Sequence, residues 1–220
     1  MRFILDILPP LLQGLVVTVE LTLAAAVLGV VVAFVVGLAR LSRFSFVRYI
    51  ALAFIEVFRG TSALVQLFWL YFALPLFGFD ISAMTAGIIG LGLNTGAYGA
   101  VVVRGAVQAV PRAQVEAAIA LNLSGRRRMW HVVLPQAALA MLPPWGNLFI
   151  ELLKNTALVS LITISELTFQ GQLLRSETLR TPQIFGTVLV LYFLLALVIT
   201  KAMRLAERKL AFGLDRGGLH

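Results

Sequence analysis

Apolar residues in this chain come in long blocks separated by short polar, arginine-bearing gaps. Leu15 to Ala39 is the clearest block. Val47 to Phe77 is a second, long enough to bend or to extend past a bilayer, and Ile81 to Val103 is a third, rich in Gly and Ala. Pro144 to Ile164 and Ile184 to Met203 complete the series. A hydrocarbon layer about 30 Å thick needs about 20 helical residues to cross it. The pattern predicts an all-α, polytopic membrane protein of about five transmembrane helices. The connections after the third and fourth blocks are long enough to carry structure of their own. The opening MRFILDILPPLLQG reads poorly as a signal peptide, because Asp6 and Pro9-Pro10 interrupt its apolar run and no small-residue cleavage site follows. The first block is therefore expected to remain as a span.

Composition supports lipid as the solvent. Apolar residues make up 60% of the chain and charged residues 13%, against about 45–50% and about a quarter in soluble domains. The net charge of +8 would raise the question of nucleic acid in a soluble protein. Here the basic residues sit in the gaps, so topology accounts for them and no nucleic-acid partner is expected. Arg40, Arg43, Arg48, Arg104, Arg112, Arg126, Arg127, Arg128, Lys201, Arg204, Arg208, Lys209 and Arg216 fall on one side of the blocks. Arg2, Arg175 and Arg180 fall on the other, the last two balanced by Glu166 and Glu177. The positive-inside rule then predicts an outside N-terminus, with residues 1–13 extracytoplasmic, and a cytoplasmic tail over residues 209–220. There is no cysteine, and His131 and His220 are far apart, so no metal site is read. No Gly-Lys dipeptide occurs, so no phosphate-cradling loop exists and no cofactor is expected to bind this chain.

Gly87, Gly90, Gly92, Gly96 and Gly99 crowd the third block, where Gly92 and Gly96 form a Gly-x-x-x-Gly pair. Such residues allow close helix contact, either within the chain or at a subunit seam. The following connection is predicted to hold a short helix. Pro111 suits its first turn, Gln114 to Leu121 are strong helix formers, and Val115, Ala118, Ile119 and Asn122 form an apolar stripe. Asn122 is read as the stop, since Asn tolerates left-handed backbone. A second segment, Arg126 to Ala140, leads back to the bilayer. The helix fits either of two roles. It can enter a groove on a partner, with Ala117 and Ala118 allowing close approach and Glu116 meeting a cation. Alternatively it can lie on lipid headgroups beside Arg126-Arg127-Arg128.

Glu116-Ala117-Ala118, a turn residue six positions after the Glu, and Leu134-Pro135 resemble the EAA loop of binding-protein-dependent ABC importer permeases. FRGTSALVQLFWLYF (Phe58 to Phe72), the Tyr98 to Leu121 stretch and ELLKNTALVSLITISEL (Glu151 to Leu167) resemble the polar amino acid branch of that family. The resemblance spans Gly14 to Arg208. Within the branch, NTGAYGAVVVRGAVQAVP and PPWGNLFIELLKNTALVSLIT look most similar to ectoine and hydroxyectoine permeases. Two positions depart from the family pattern. Asn122 stands where Gly is usual, though Asn is the least costly substitute in left-handed geometry. Ser62 stands where the family's FRGTP has Pro, which puts the local break of the second span in doubt.

The resemblance implies an ABC transmembrane type-1 fold over residues 14–208, in the bacterial plasma (inner) membrane. It implies a second permease subunit, identical or related, and a cytoplasmic ABC ATPase dimer that spends the ATP. It also implies an extracytoplasmic binding protein that delivers the solute. Glu116, Ala117 and Ala118 would carry the docking to the ATPase and Asn122 would shape the turn. The implied role is import of a polar amino acid or ectoine-like solute by alternating access, without enzymatic activity in this chain.

Ionisable residues inside spans cost roughly 2.5–3.5 kcal/mol each at mid-helix, so each needs a reason. Glu56 and Arg59, and Glu151 and Lys154, are i, i+3 pairs that share a helix face. They either neutralise one another or line a solute path. For a zwitterion, Arg59 would hold the carboxylate, and Glu20, Glu56 or Glu151 the cationic end. Thr61, Ser62, Gln66, Asn94, Asn155 and Thr156 add neutral hydrogen-bonding capacity. Trp69 and Tyr71 can offer a ring face, or belong with Phe68 and Phe72 to an interfacial aromatic belt. Two rival classes remain. An intramembrane enzyme would need a nucleophile with a base, yet no histidine lies in a span, no cysteine exists, and nothing local supports a Ser62–Lys154 dyad. A stand-alone carrier or channel fits the charged pairs, but five spans do not divide into equal repeats.

Overall fold

Backbone hydrogen bonds in lipid must close within the chain, and helices do this segment by segment. The computed structural model describes residues 2–215, and side chains over 6–210. Arg216 and His220, assigned to the tail above, lie outside the described residues, as does the Arg2 side chain. Among the described residues every regular element is helical: α1 (Arg2–Ala39), α2 (Ser45–Gly60), α3 (Ala63–Phe68), α4 (Ala83–Ala109), α5 (Arg112–Ala120), α6 (Gly125–Arg128), α7 (Leu134–Asn155), α8 (Leu167–Thr178) and α9 (Thr181–Asp215). Three stretches are long and apolar enough to cross a membrane alone: Asp6–Ala39, Ala83–Ala109 and Thr181–Leu210. Two bent pairs, each a broken span or a re-entrant loop, bring the total to five where each counts as one crossing. Ser45–Gly60 meets Ala63–Phe77 at 102°, and Gly125–Ile162 meets Leu167–Thr178 at 52°.

Several boundaries differ from the hydropathy blocks. Residues 2–13 form no separate segment; they continue α1, because Ile7 and Leu11, one turn apart, pack against Leu167, Ile184 and Val188 of α8 and α9. The tail is helical through Asp215. The fourth crossing is approached by continuous helix from Gly125, through a π-helical turn at Met129–Val133. A second π turn, Trp69–Ala73, follows α3. Each π turn ends two residues before a proline, Pro75 or Pro135. Proline has no N–H and its ring collides with the carbonyl four residues back. A wider turn, closed by Leu74 N–H to Trp69 O and Leu134 N–H to Met129 O, accommodates that collision.

The central contact is α1 against α4. A Cβ added at Gly96 would stand 2.6 Å from Val32 Cγ1, and one at Gly92 would stand 2.8 Å from Leu28 Cδ2. At Gly99 it would meet Ala33 Cβ and the Trp145 ring, both at 2.7 Å. The glycines of the third span thus serve packing within the chain, the first of the two readings. α7 packs on α4 through Ala137, Met141 and Trp145, and α9 packs on α7.

Glu166 corrects the sequence reading most plainly. The sequence offers it as a charge that balances Arg175 and Arg180, yet it is 0% exposed. It caps α8: Oε2 accepts from Thr168 N–H and Oε1 from Phe169 N–H, both at 2.8 Å. The Tyr192 hydroxyl of α9 donates to Oε2 at 2.8 Å. Beside it, Thr18 of α1 accepts from Leu167 N–H at 3.1 Å and donates to Gly14 O at 2.9 Å. One carboxylate and one hydroxyl therefore tie three helices together, since each buried donor needs an acceptor.

Gly96→Ala is expected to cost about 1–3 kcal/mol by overpacking. Gly105→Ala, whose Cβ meets nothing within 4 Å, serves as the control and should leave the midpoint unchanged or raise it slightly. Unfolding midpoints in detergent check both. Glu166→Ala strands two N–H groups and leaves the Tyr192 hydroxyl with Thr168 Oγ1 as its one partner, and should cost about 2–4 kcal/mol. An unchanged midpoint for Glu166→Ala would contradict the clamp.

Candidate functional site

The second span breaks at Thr61 and Ser62, which are both extended, with φ/ψ of −117°/154° and −68°/133°. The break forms without the family's proline, so the doubt raised by Ser62 is resolved in favour of a break. A helix that stops inside a protein must find new partners for its last carbonyls. Thr61 Oγ1 donates to Val57 O at 2.7 Å. Gln66 Nε2 donates to Phe58 O at 2.9 Å and to Thr61 Oγ1 at 2.8 Å. Asn94 Nδ2, from α4, donates to the same Phe58 O at 3.1 Å and to Gln66 Oε1 at 3.2 Å. Two side-chain amides thus close what the missing helical turn leaves open.

The break opens a cleft of about 410 Å³, within the range of small-molecule sites. Thr61, Ser62, Ala63 and Leu64 form one wall, Asn94 and Tyr98 of α4 a second, and Glu151, Asn155 and Leu158 a third. Arg59 stands at its edge, with its guanidinium carbon 5.2 Å from the centroid of the Tyr98 ring, inside cation–π range. Irregular backbone at membrane depth is tolerated where it lines a cavity, and this break meets that condition. The cleft offers a carboxylate, two amides, two aliphatic hydroxyls, a phenol and a nearby guanidinium. Among the described residues no group of His, Cys, Asp or Glu could hold a metal ion.

Of the residues predicted for the path, Thr61, Asn94, Glu151 and Asn155 come together here, with Arg59 beside them. Gln66 does not line the cleft; it straps the break and lines an apolar pocket of about 350 Å³ on the other side, with Val57, Phe58 and Trp69. Lys154 is exposed next to Asn155 but off the wall, and Glu20 is exposed on the outward, largely apolar face of α1. Neither i, i+3 pair closes an ion pair among the described residues; Arg59 faces Tyr98 instead. Trp69 stacks near Phe77 at 6.4 Å and the Tyr71 hydroxyl meets Thr163 Oγ1 at 3.3 Å, so neither ring faces the cleft. Tyr98 was missed as a site residue. Its signal was its place one turn after Asn94 on the same face of α4.

The connection before α7 also takes shape. α5 ends in a Schellman motif, with Leu123 N–H to Ala118 O at 3.1 Å and Asn122 N–H to Ile119 O at 2.8 Å. Asn122 has φ 56°, the left-handed geometry read from the sequence. Ala118 differs from expectation. It is 2% exposed and turned into the chain, where α5 packs on the Met129–Val133 turn, so its small size serves that contact. The free face of α5 carries Glu116, Ala117, Ile119 and Ala120, and exposed Leu121 follows at its end.

Residues 25–211 match the family described as binding-protein-dependent transport system inner membrane component. The probable amino-acid ABC transporter permease protein y4tF of Sinorhizobium fredii (strain NBRC 101917 / NGR234) is 47% identical over 208 residues, 92% of this chain and 87% of that protein. The glutamine transport system permease protein GlnP of Escherichia coli (strain K12) is 37% identical over 205 residues, covering 92% of this chain and 94% of its own. Among solved structures, a crystal structure of an amino acid ABC transporter with histidines superposes with a TM-score of 0.87 at 36% identity, covering 94% of this chain and 97% of that one. A match of that extent decides membership: the chain belongs to the binding-protein-dependent transport system inner membrane components, and is a multi-pass inner-membrane transport subunit and not an enzyme.

Proposed function

We propose that this chain is the permease subunit of an ATP-binding-cassette importer that moves a polar amino acid, or an amino-acid-like zwitterion such as ectoine or hydroxyectoine, into the cytoplasm by alternating access. The observation that carries the reading is the polar cleft at the α2–α3 break. Broken helices whose freed backbone lines a cavity are a recurring way to hold polar solutes at membrane depth. Glu151 is suited to the cationic end of a zwitterion and Arg59 to its carboxylate, with Asn94, Asn155, Thr61 and Ser62 completing the hydrogen bonds. Relatives named for glutamine and for L-cystine support an amino acid as cargo. The ectoine reading is supported by the similarity of the α4 and α7 motifs.

Energy would enter through α5. Its free face, Glu116, Ala117 and Leu121, would dock on a cytoplasmic ATPase dimer that consumes ATP, with Asn122 fixing the angle of the turn. A second permease subunit, the same or related, would complete the path, and a solute-binding protein would deliver cargo at the opposite face. The basic gaps set the orientation, with the N-terminus outside and the C-terminus cytoplasmic.

Glu151→Gln and Arg59→Gln each remove one charged partner of a charge-assisted hydrogen bond, so uptake should fall about 10–100-fold. The measurement is uptake of labelled glutamine, ectoine, hydroxyectoine, and acidic and basic amino acids by the reconstituted transporter with its binding protein. Wild-type uptake of every solute by both variants, at normal expression, would remove the cleft from the path. Glu116→Lys should leave membrane insertion intact and abolish solute-stimulated ATP hydrolysis. Retained coupling in that variant would argue against docking through α5.

A further inference from the structure

At the opposite end of α7 from the cleft, Arg126, Arg127, Trp130 and His131 line a surface pocket of about 340 Å³. All four side chains are exposed, Trp130 by 60%. No acidic residue occurs between Glu116 and Glu151, so the chain supplies no nearby counter-charge of its own in sequence. The π turn at Met129–Val133 determines where these side chains point. In an uninterrupted α-helix, positions 126, 130, 133, 137 and 141 would share one face. Val133, Ala137 and Met141 do turn inward and are buried. The extra residue in the wide turn rotates the preceding segment by roughly a quarter turn or more. Arg126 and Trp130 therefore leave the core-facing side and come to the surface.

We propose that this pocket is a binding site for the headgroup of an anionic phospholipid in the surrounding bilayer. Two guanidinium forks match the oxygens of a phosphodiester, which carries one negative charge. An indole favours the boundary between headgroups and acyl chains, and Trp130 stands where the helix turns apolar, with Val132, Val133 and Leu134 following. The His131 ring hydrogen-bonds Arg127 O through Nδ1 at 3.0 Å. A carbonyl only accepts, so Nδ1 donates in this bond and Nε2 is left free to hydrogen-bond a headgroup. Arginine, indole and imidazole together suit phosphatidylglycerol, which combines a phosphodiester with free hydroxyls. An acidic protein surface would satisfy the arginines, but the exposed indole on a helix continuous with a span favours lipid.

The test uses the assembled transporter in nanodiscs of phosphatidylcholine, alone or mixed with phosphatidylglycerol. Native mass spectrometry counts the phosphatidylglycerol retained after release, and ATP hydrolysis is read in both lipids. Retention is read without transport, so it succeeds or fails separately from the importer reading. The R126Q/R127Q double variant should retain about tenfold less phosphatidylglycerol than the wild type, with hydrolysis in pure phosphatidylcholine unchanged. R126K/R127K keeps the charge but loses the forks, and should fall between the two. Trp130→Ala should lower retention with both arginines in place. Equal retention by the wild type and R126Q/R127Q overturns the proposal. Loss of the ATPase from the R126Q/R127Q complex in pure phosphatidylcholine also overturns it, because the arginines would then belong to a protein interface.

Discussion

The carbonyl of Phe58 is the point on which the rest of the structure turns. Where α2 stops, this oxygen loses its helical partner inside a protein that lipid surrounds, and no bulk water is at hand to replace it. Gln66 and Asn94 both donate to it, one from beyond the break and one from α4. Because both amides are committed there, the chain can bend by 102° at Thr61 and Ser62 with the Phe58 carbonyl still hydrogen-bonded. The bend separates the apolar pocket behind the break from the polar cleft in front of it. That hydrogen-bonded strap holds open the break that forms one wall of the cleft.

A break of this kind needs a stiff frame. The α1–α4 seam supplies it through glycines that bring the two helices too close for even one extra methyl group. Packing in lipid gains little from the hydrophobic effect and depends on close van der Waals contact, so small residues are worth more here than apolar bulk. At one end the Glu166 clamp joins α1, α8 and α9 through a cap and a tyrosine. At the other, Ala118 seats α5 on the wide turn before α7. The cleft thus hangs on this rigid pair of helices, and α5 follows directly from the end of α4.

The two π turns show how local chemistry redirects function. Both precede a proline, and both shift the helical register at a place where side chains must change direction. Before α7 the shift takes an arginine and a tryptophan off the core-facing stripe. After α3 it accompanies the stacking of Trp69 near Phe77. A periodicity count made on an ideal helix assigns such residues to the wrong face, because it assumes a constant rotation per residue.

From the sequence alone came the solvent, the long apolar blocks, the helix after Pro111, the left-handed stop at Asn122, and most of the polar lining of the cleft. Each of these is a property of one segment: block length, a turn residue, or polar groups set in an apolar run. The tertiary structure alone decided that Gln66 straps the break while Tyr98 lines the cleft, that Glu166 is a buried cap and not a surface counter-charge, and that Ala118 faces inward. It also showed that the paired charges ignore each other, with Arg59 turned to Tyr98. The physical reason is the same throughout. A polar side chain's partner is chosen by which carbonyl, amide or ring lies within about 3 to 6 Å in space, and that distance joins helices whose residues are far apart along the chain.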